Sequence, residues 1–296
     1  MKAAFLPDRG VIKVSGDDAR TFLNGLLTTD IGKVSPAVPR FAALLTPQGK
    51  ILFDCIVAEA PPEDGGGFFL DCPRALAKAL ADRLKFYKLR AKVTLEDLSE
   101  ALGVLAVWDG NANTEYGLTY PDPRLPALGF RVILPPHVAA EAAADLGATF
   151  VDVDAYEAHR IAQGVPRGGL DFIYGDAFPH EADMDQLGGV DFEKGCYVGQ
   201  EVVSRMEHRG TARNRIVGVI CEDGATEPGA AVMAGEKTIG TMGSSAKGRG
   251  IALVRIDRAE DARRAGVLIT TGGLPIRIVK PDWARFVFPG EQTAAE

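Results

Sequence analysis

Residues 194 to 201, Lys194-Gly195-Cys196-Tyr197-Val198-Gly199-Gln200-Glu201, place one thiol between two glycines and close to a lysine. A basic run follows: Arg205, His208, Arg209, Arg213 and Arg215. Cysteine acts as a nucleophile or metal ligand only as the thiolate, a form that nearby cations or a helix N-terminus favour. Gly195 and Gly199 permit a tight turn or a close backbone approach. Val198, Val202 and Val203 beside Gln200 and Glu201 predict a short helix opening here, its first N–H groups aimed toward Cys196. Two readings of Cys196 stand, a reactive thiol and a small buried apolar residue, because spacing does not report exposure.

Other side chains also have chemical potential. Glu181, in Phe178-Pro179-His180-Glu181, offers a carboxylate that accepts two parallel hydrogen bonds from a donor-rich ring edge. The competing reading is a solvated surface acid. Asp54 falls in the run Ile51 to Glu59, where alternation puts Ile51, Phe53, Cys55 and Val57 on one face and Leu52, Asp54, Ile56 and Ala58 on the other. A carboxylate among apolar neighbours is costly unless paired or ligand-bound. Arg205, Arg209, Arg213 and Arg215 either solvate a helix and loop or form an anion site, for which guanidinium forks suit carboxylates. RNA contact is the weakest reading of these arginines, since no aromatic stacking platform is interleaved with them.

Three patterns are set aside. Asp183 to Gly188 begins like a calcium loop, but Leu187 and Lys194 occupy positions that need oxygen ligands. His180-Glu181 lacks the second histidine of a zinc-protease helix, and Gly240 to Gly250 lacks the ending of a phosphate-binding loop. That glycine-rich stretch reads as a mobile β-turn. No metal site is expected.

The elements that must position these residues follow from periodicity. Val11 to Val14 reads as a strand, and Asp17 or Asp18 as the cap of a helix carrying Phe22, Leu23, Leu26 and Leu27. Phe41 to Thr46 and Ile51 to Glu59 form a hairpin around Pro47-Gln48-Gly49-Lys50. Phe68 to Leu70 is a strand, Pro73 starts a helix with Leu76, Leu80 and Leu84, and Val93 with Leu95 suggests another strand. Leu102 to Val107 and Phe130 to Leu134 are strands, and Val138 to Leu146 is a helix. Asp154 and Glu157 form a capping box for the helix through Ile161. After Arg215, Ile216 to Cys221, Lys237 to Thr241, Ile251 to Ile256, Val267 to Thr270 and Ile276 to Val279 are short strands. They are separated by turns such as Asp223-Gly224 and Glu227-Pro228-Gly229, the pattern of a small closed β-domain. The fold class is therefore α+β, with two ferredoxin-like lobes over residues 1–213, split near residue 100, and a C-terminal β-barrel over 214–290. Gln292 to Glu296 should be frayed.

Composition narrows the function classes. At 296 residues with 46% hydrophobic and 25% charged residues, the chain is an ordinary multi-domain globular protein. A net charge of −7 argues against wholesale wrapping of nucleic acid, and no stretch approaches a membrane span. Neither nucleic acid nor membrane is expected as a partner. Cys55, Cys72, Cys196 and Cys221 lie far apart, giving no disulfide framework and no zinc ribbon. With no secretory signal expected in Met1 to Gly10, a reducing cytoplasm fits best.

The octapeptide at 194–201 resembles the signature of the folate-binding YgfZ family, a branch of the fold shared with the aminomethyltransferase of glycine cleavage. Arg160, Gly164, Pro166, Gly169 and Asp171 are similar to that family's Arg…Gly-x-Pro…Gly-x-Asp run, and Pro179-His180-Glu181 to its Pro-x-Glu element. Gly189-Val190-Asp191-Phe192, Gly16 to Leu23 and Thr46 to Asp54 also look like family segments, so the resemblance covers most of the chain. It implies tetrahydrofolate as cofactor, its pterin edge held by Glu181, with Asp54, Arg205, Tyr197 and Gln200 as further folate contacts. Cys196 would be the working thiol, its ionisation favoured by Lys194 and Arg205. The implied role is support of iron–sulfur cluster assembly or maintenance in client enzymes, including radical enzymes that modify tRNA, with a cluster held transiently and iron–sulfur client or scaffold proteins as partners. The aminomethyltransferases carry two adjacent aspartates where this chain has Phe53 and Asp54. That departure speaks against the alternative of a tetrahydrofolate-dependent one-carbon transferase.

Overall fold

The computed structural model describes residues 1–210, 212–221 and 226–290. The expected turn at Asp223-Gly224 and the expected fraying of Gln292 to Glu296 lie outside these residues. The chain divides into two units, residues 1–156 with 187–200, and residues 157–186 with the chain from 201 on.

In the first unit the elements run β1 (Lys2–Leu6), β2 (Arg9–Ser15), α1 (Ala19–Asn24), β3 (Arg40–Leu45), β4 (Ile51–Glu59), β5 (Phe68–Pro73), α2 (Arg74–Lys88) and β6 (Thr94–Asp97). They continue through β7 (Gly103–Trp108), β8 (Leu118–Pro121), β9 (Phe130–Leu134), α3 (Ala139–Asp145), β10 (Thr149–Phe150) and the start of α4 (Val153–Ala162). Two five-stranded sheets result, in the orders β3-β4-β5-β2-β6 and β10-β1-β7-β9-β8. Every neighbouring pair is antiparallel except β1 with β10. The helix α2 turns Ala77, Leu80, Ala81 and Leu84 into a core shared with Phe53, Cys55 and Val57 of β4, as alternation requires. Ala139, Ala142 and Ala143 of α3 cover the second sheet through Ala3, Leu105, Val107 and Val132.

A buried ionic network joins the two sheets. Asp71 on β5 accepts from Arg9 Nε at 2.6 Å, Arg131 Nη1 at 2.7 Å and the Tyr120 hydroxyl at 3.1 Å. Arg131 Nε also donates to Asp122 at 2.8 Å, and Arg124 grips Asp122 with both ends of its fork. Buried carboxylates persist only when paired this fully.

In the second unit α5 (Gln200–Arg209) is followed by β11 (Asn214–Ile220), β12 (Ala231–Ala234), β13 (Lys237–Ala246), β14 (Arg249–Arg255), α6 (Ile256–Arg264), β15 (Ile269–Thr271), β16 (Leu274–Pro275) and β17 (Arg277–Val279). The described strands form one sheet of order β16-β15-β12-β13-β14-β11-β17, a near-closed barrel. Its interior holds Val217, Val219, Val232, Ile239, Met242, Val254, Phe286 and Phe288.

Three local expectations are corrected. Gly240 to Gly250 is not a mobile turn: it lies within β13 and β14, which pair around Lys247-Gly248. Gly240 and Gly243 serve close approach, since a Cβ there would meet the Leu253 carbonyl at 2.4 Å and Asp171 Oδ1 at 2.3 Å. Asp18 does not cap α1 with its side chain; Oδ2 accepts instead from Lys92 N at 2.7 Å. Asp154 sits inside the first turn of α4, which begins at Val153, so it forms no capping box. Glu157 pairs with Arg160 instead.

Candidate functional site

The signature loop is held by the first unit on several sides. Asp191 N donates to the Thr28 carbonyl at 3.0 Å, and the Thr28 hydroxyl donates to the Gly189 carbonyl at 2.6 Å. The Asp191 carboxylate pairs with Lys33 at 2.6 Å. Lys194 is buried, and its Nζ donates to the carbonyls of Asn24 at 2.6 Å and Leu27 at 2.7 Å. Burial lowers its pKa to about 8, against the opposing pull of Asp30 and Asp191. The ammonium also lies 4.8 Å from the centroid of the Tyr197 ring. Burial, with a smaller contribution from Asp191, pushes the Tyr197 phenol up to about 12. Val198 packs against the α2 core.

Gly199 has φ +83°, and a Cβ there would meet the Thr46 carbonyl at 2.5 Å. Only glycine lets the loop close on the tip of the β3–β4 hairpin. A Cβ at Gly195, by contrast, would meet nothing within 4 Å. Cys196 sits in this open stretch and is exposed, whereas Cys55, Cys72 and Cys221 are buried. Burial pushes the Cys72 thiol up to about 12 and the Cys55 thiol well above its ordinary value. Those two are inert sulfurs in a hydrocarbon core. Gln200 closes the loop with Nε2 at 3.5 Å from the Lys194 carbonyl. Asp54, on the strand leaving the same hairpin, is buried opposite Ala43 of β3.

In the second unit Glu181 closes the turn Phe178–Glu181. Its Oε2 accepts from Phe178 N at 2.9 Å, and Oε1 accepts from Asn214 Nδ2 at 2.8 Å. The residue is partly exposed. Arg205, on the outside of α5, lies 3.7 Å from Glu201. The structure thus gathers Lys194, Cys196, Tyr197 and Gln200 on one loop, with Asp54 in the same unit, while Glu181 and Arg205 belong to the other.

Sequence reasoning missed a polar group near Glu181. His180 Nε2 hydrogen-bonds Glu207 at 3.0 Å, and Arg215 Nη1 donates to the His180 carbonyl at 2.8 Å and to Asp185 at 2.7 Å. A cavity of about 400 Å³ is lined by His180, Glu207, Arg213, Arg215, Asp257 and Phe286 among others. Arg213 and Arg215 belong to the arginine run named above as a candidate anion site, but His180, Glu207, Asp257 and Phe286 come from separate elements that no spacing links to it. Asp183 has φ +53° and is fully buried, where burial pushes its carboxyl well above the ordinary value against the pull of Arg215.

Comparison with known proteins places this geometry in context. Residues 213–286 match the family described as CAF17, C-terminal beta-barrel domain. A crystal structure of the glycine cleavage system aminomethyltransferase T from Bartonella henselae superposes with a TM-score of 0.75, covering 96% of this chain and 86% of that one at 18% identity. The aminomethyltransferase fold, a mixed α/β body with a C-terminal barrel, is thereby established. The "Iron-sulfur cluster assembly factor IBA57 homolog, mitochondrial" of Mycosarcoma maydis is 36% identical over 78% of this chain and 60% of that protein. Human "Iron-sulfur cluster assembly factor IBA57, mitochondrial" is 32% identical over 84% of this chain and 76% of its own length. The match spans less than two thirds of the fungal relatives, 60% and 55% for those of Mycosarcoma maydis and Coccidioides immitis. The expected cytoplasmic location is overturned, because these relatives are named as mitochondrial proteins. With a relative matched over three quarters of its length and the whole fold in common, the chain belongs to the IBA57 family.

Proposed function

We propose that the protein supports assembly or maintenance of iron–sulfur clusters in other proteins, with Cys196 as the thiol that meets the cluster. One observation carries this reading: of the four cysteines only Cys196 is exposed, on a loop fixed at Lys194 and Gly199 and open between them. Iron–sulfur clusters are held by several thiolates, so one cysteine holds a cluster only with ligands from elsewhere. The cluster is cargo, handed on by ligand exchange: an iron–thiolate bond to Cys196 forms as a bond to the donor's ligand breaks. Lys194 is a positioning residue, its ammonium spent on two carbonyls two positions before the thiol. The names of the relatives support the role, and the octapeptide supports kinship with the YgfZ branch. Client enzymes that modify tRNA belong to this proposal. Phe53, packed in the α2 core, leaves no second aspartate beside Asp54, which disfavours one-carbon transfer.

Native alkylation followed by mass spectrometry should modify Cys196 alone. In anaerobic transfer to an apo-client, Cys196→Ser should slow cluster delivery at least about tenfold, no less than outer-shell changes cause at metal sites. Equal rates for variant and wild type would sink the assignment.

A folate ligand belongs to the same proposal. Each oxygen of Glu181 already accepts one hydrogen bond, yet a carboxylate offers about four lone-pair sites, so a donor-bearing pterin edge still fits. Folate would supply a one-carbon carrier ring; Glu181 would orient that ring, and the exposed Arg205 suits a glutamate tail. Calorimetric titration with tetrahydrofolate should show Glu181→Gln weakening binding by about tenfold, the equivalent of 1.4 kcal/mol. Unchanged affinity would remove Glu181 from the ligand site without touching the role of Cys196.

A further inference from the structure

The end of α2 and the residues after it read Arg83-Leu84-Lys85-Phe86-Tyr87-Lys88-Leu89-Arg90-Ala91-Lys92. Five of these ten residues are cationic and none is acidic, in a chain of net charge −7. Leu84 is buried and Tyr87 packs against the same core, so that side anchors the helix. Phe86, in the last turn of the helix, and Leu89, just past its end, are 72% and 90% exposed. No other large apolar side chain among the described residues is as exposed. At 90% exposure almost no protein flanks Leu89, so it projects and lines no groove.

The backbone adds an independent sign. Leu89 ends the helix with φ +44° and ψ −106°. Glycine is the low-cost residue at such a helix end, and a bulky side chain there is an outlier. Strain of this kind persists where the side chain has a use. Here it fixes an apolar group at the tip of a cationic prominence.

We propose that this tip is a membrane-surface contact that engages anionic lipid bilayers. Phe86 and Leu89 enter the boundary between headgroups and acyl chains, while Arg83, Lys85, Lys88, Arg90 and Lys92 meet the phosphates. A fluid anionic surface needs no complementary groove, which matches a projecting apolar pair ringed by one sign of charge. A protein partner instead rewards shape and directed polar contacts across several hundred Å². Nucleic acid rewards a flat stacking platform, whereas the Phe86 ring stands edge-on to Tyr87 at 5.6 Å. Three acids lie near: Asp82 pairs with Lys78 and Lys85, Asp17 pairs with Lys92, and Asp18 Oδ2 accepts from Lys92 N. Exposed pairs of this sort exchange readily for phosphate. The acidic remainder of the protein is screened beyond about 8 Å at physiological salt, so it does not lift the tip off the surface. Among the described residues no helix is long and apolar enough to cross a membrane. The expectation of no membrane partner rested on the lack of a span-length apolar run in the sequence, and surface contact asks nothing of length.

Co-sedimentation of the full chain with vesicles tests this. Wild type should bind phosphatidylcholine vesicles containing about one third phosphatidylserine and not pure phosphatidylcholine, with affinity falling as salt rises. Lys85→Glu with Arg90→Glu should weaken binding at least about tenfold. Leu89→Gly should weaken it about fivefold while relieving the backbone, so unfolding cannot explain that loss. The same variant should leave cluster transfer to a soluble client unchanged. Wild type that stays in the supernatant at low salt would overturn the proposal. So would binding indifferent to either set of substitutions, or poly-U displacing the vesicles with the same dependence on Leu89.

Discussion

Replacing Arg131 by alanine should destabilise the first unit by about 3–5 kcal/mol, the loss that follows when a buried charge is left without its partner. Arg131 is almost completely buried and reaches Asp71 at 2.7 Å, Asp122 at 2.8 Å and the Tyr156 hydroxyl at 3.2 Å. Removing it strands two carboxylates between the sheets, with Arg9 and Arg124 left to hold them separately. The pH dependence has a definite sign. Burial alone pushes the carboxyls of Asp71 and Asp122 up, but the guanidiniums beside them outweigh it and hold both below the usual range. A carboxyl held below its unfolded value of about 3.9 stabilises the fold in full above that pH and loses this contribution as pH falls further. Wild type should therefore lose stability as pH falls below about 4, and Arg131→Ala, whose carboxyls are held down less, should show a smaller acid-induced loss from an already lower plateau. Trp108, buried against Tyr156 with ring centroids 5.6 Å apart, reports the unit by fluorescence in a Trp283→Phe background. Urea midpoints within about 1 kcal/mol of wild type, together with an unchanged acid limb, would contradict this account.

That network was invisible in the sequence for a physical reason. Asp71, Asp122 and Arg131 sit within or beside strands at positions where alternation permits a solvated polar residue, and only the meeting of two sheets turns them inward. Alternation did locate β4 and place Phe53, Cys55 and Val57 on the core face. It also located most barrel strands, because apolar runs between turn residues leave few other options. Glycine was ambiguous: Gly240 and Gly243 serve close backbone approach within a strand, a role with the same one-letter signature as a flexible turn. Capping was ambiguous as well, since Asp18 and Asp154 suit a helix start by type, but Asp18 bonds elsewhere and Asp154 lies within the first turn. At the site, the octapeptide identified the loop but not the exposure of its thiol. That exposure depends on Lys194 bonding the carbonyls of Asn24 and Leu27 and on Gly199 lying close against Thr46, all far away in the chain. His180, Glu207 and Arg215 meet only after three elements are in place.

The Arg…Gly-x-Pro…Gly-x-Asp run raises a sharper question, whether its residues serve a ligand or the fold. In the second unit Asp171 is saturated. Its Oδ2 accepts from Arg160 Nη1 at 2.9 Å and from Arg167 N at 2.7 Å, while Oδ1 accepts from Ser244 N at 2.7 Å and the Ser244 hydroxyl at 2.6 Å. Arg160 in turn donates to the Val165 carbonyl, to Glu157 and to Ser244 Oγ. One buried ion pair thus fastens α4 and the 165–171 loop to β13. Asp171→Ala should cost about 3–5 kcal/mol by breaking the buried ion pair, leaving Arg160 with Glu157 as its acidic partner and the Ser244 and Arg167 amides without this acceptor. Gly243→Ala should cost about 1–3 kcal/mol through overpacking, since its Cβ would meet Asp171 Oδ1 at 2.3 Å. Both variants should speed hydrogen exchange at the Ser244 and Arg167 amides, whether or not folate is present. If instead Asp171→Ala melts like wild type and loses only tetrahydrofolate affinity, the run is a ligand site and the fastening is incidental. Four hydrogen bonds on one buried carboxylate argue for the fold, because a group so fully occupied has little left to offer a ligand.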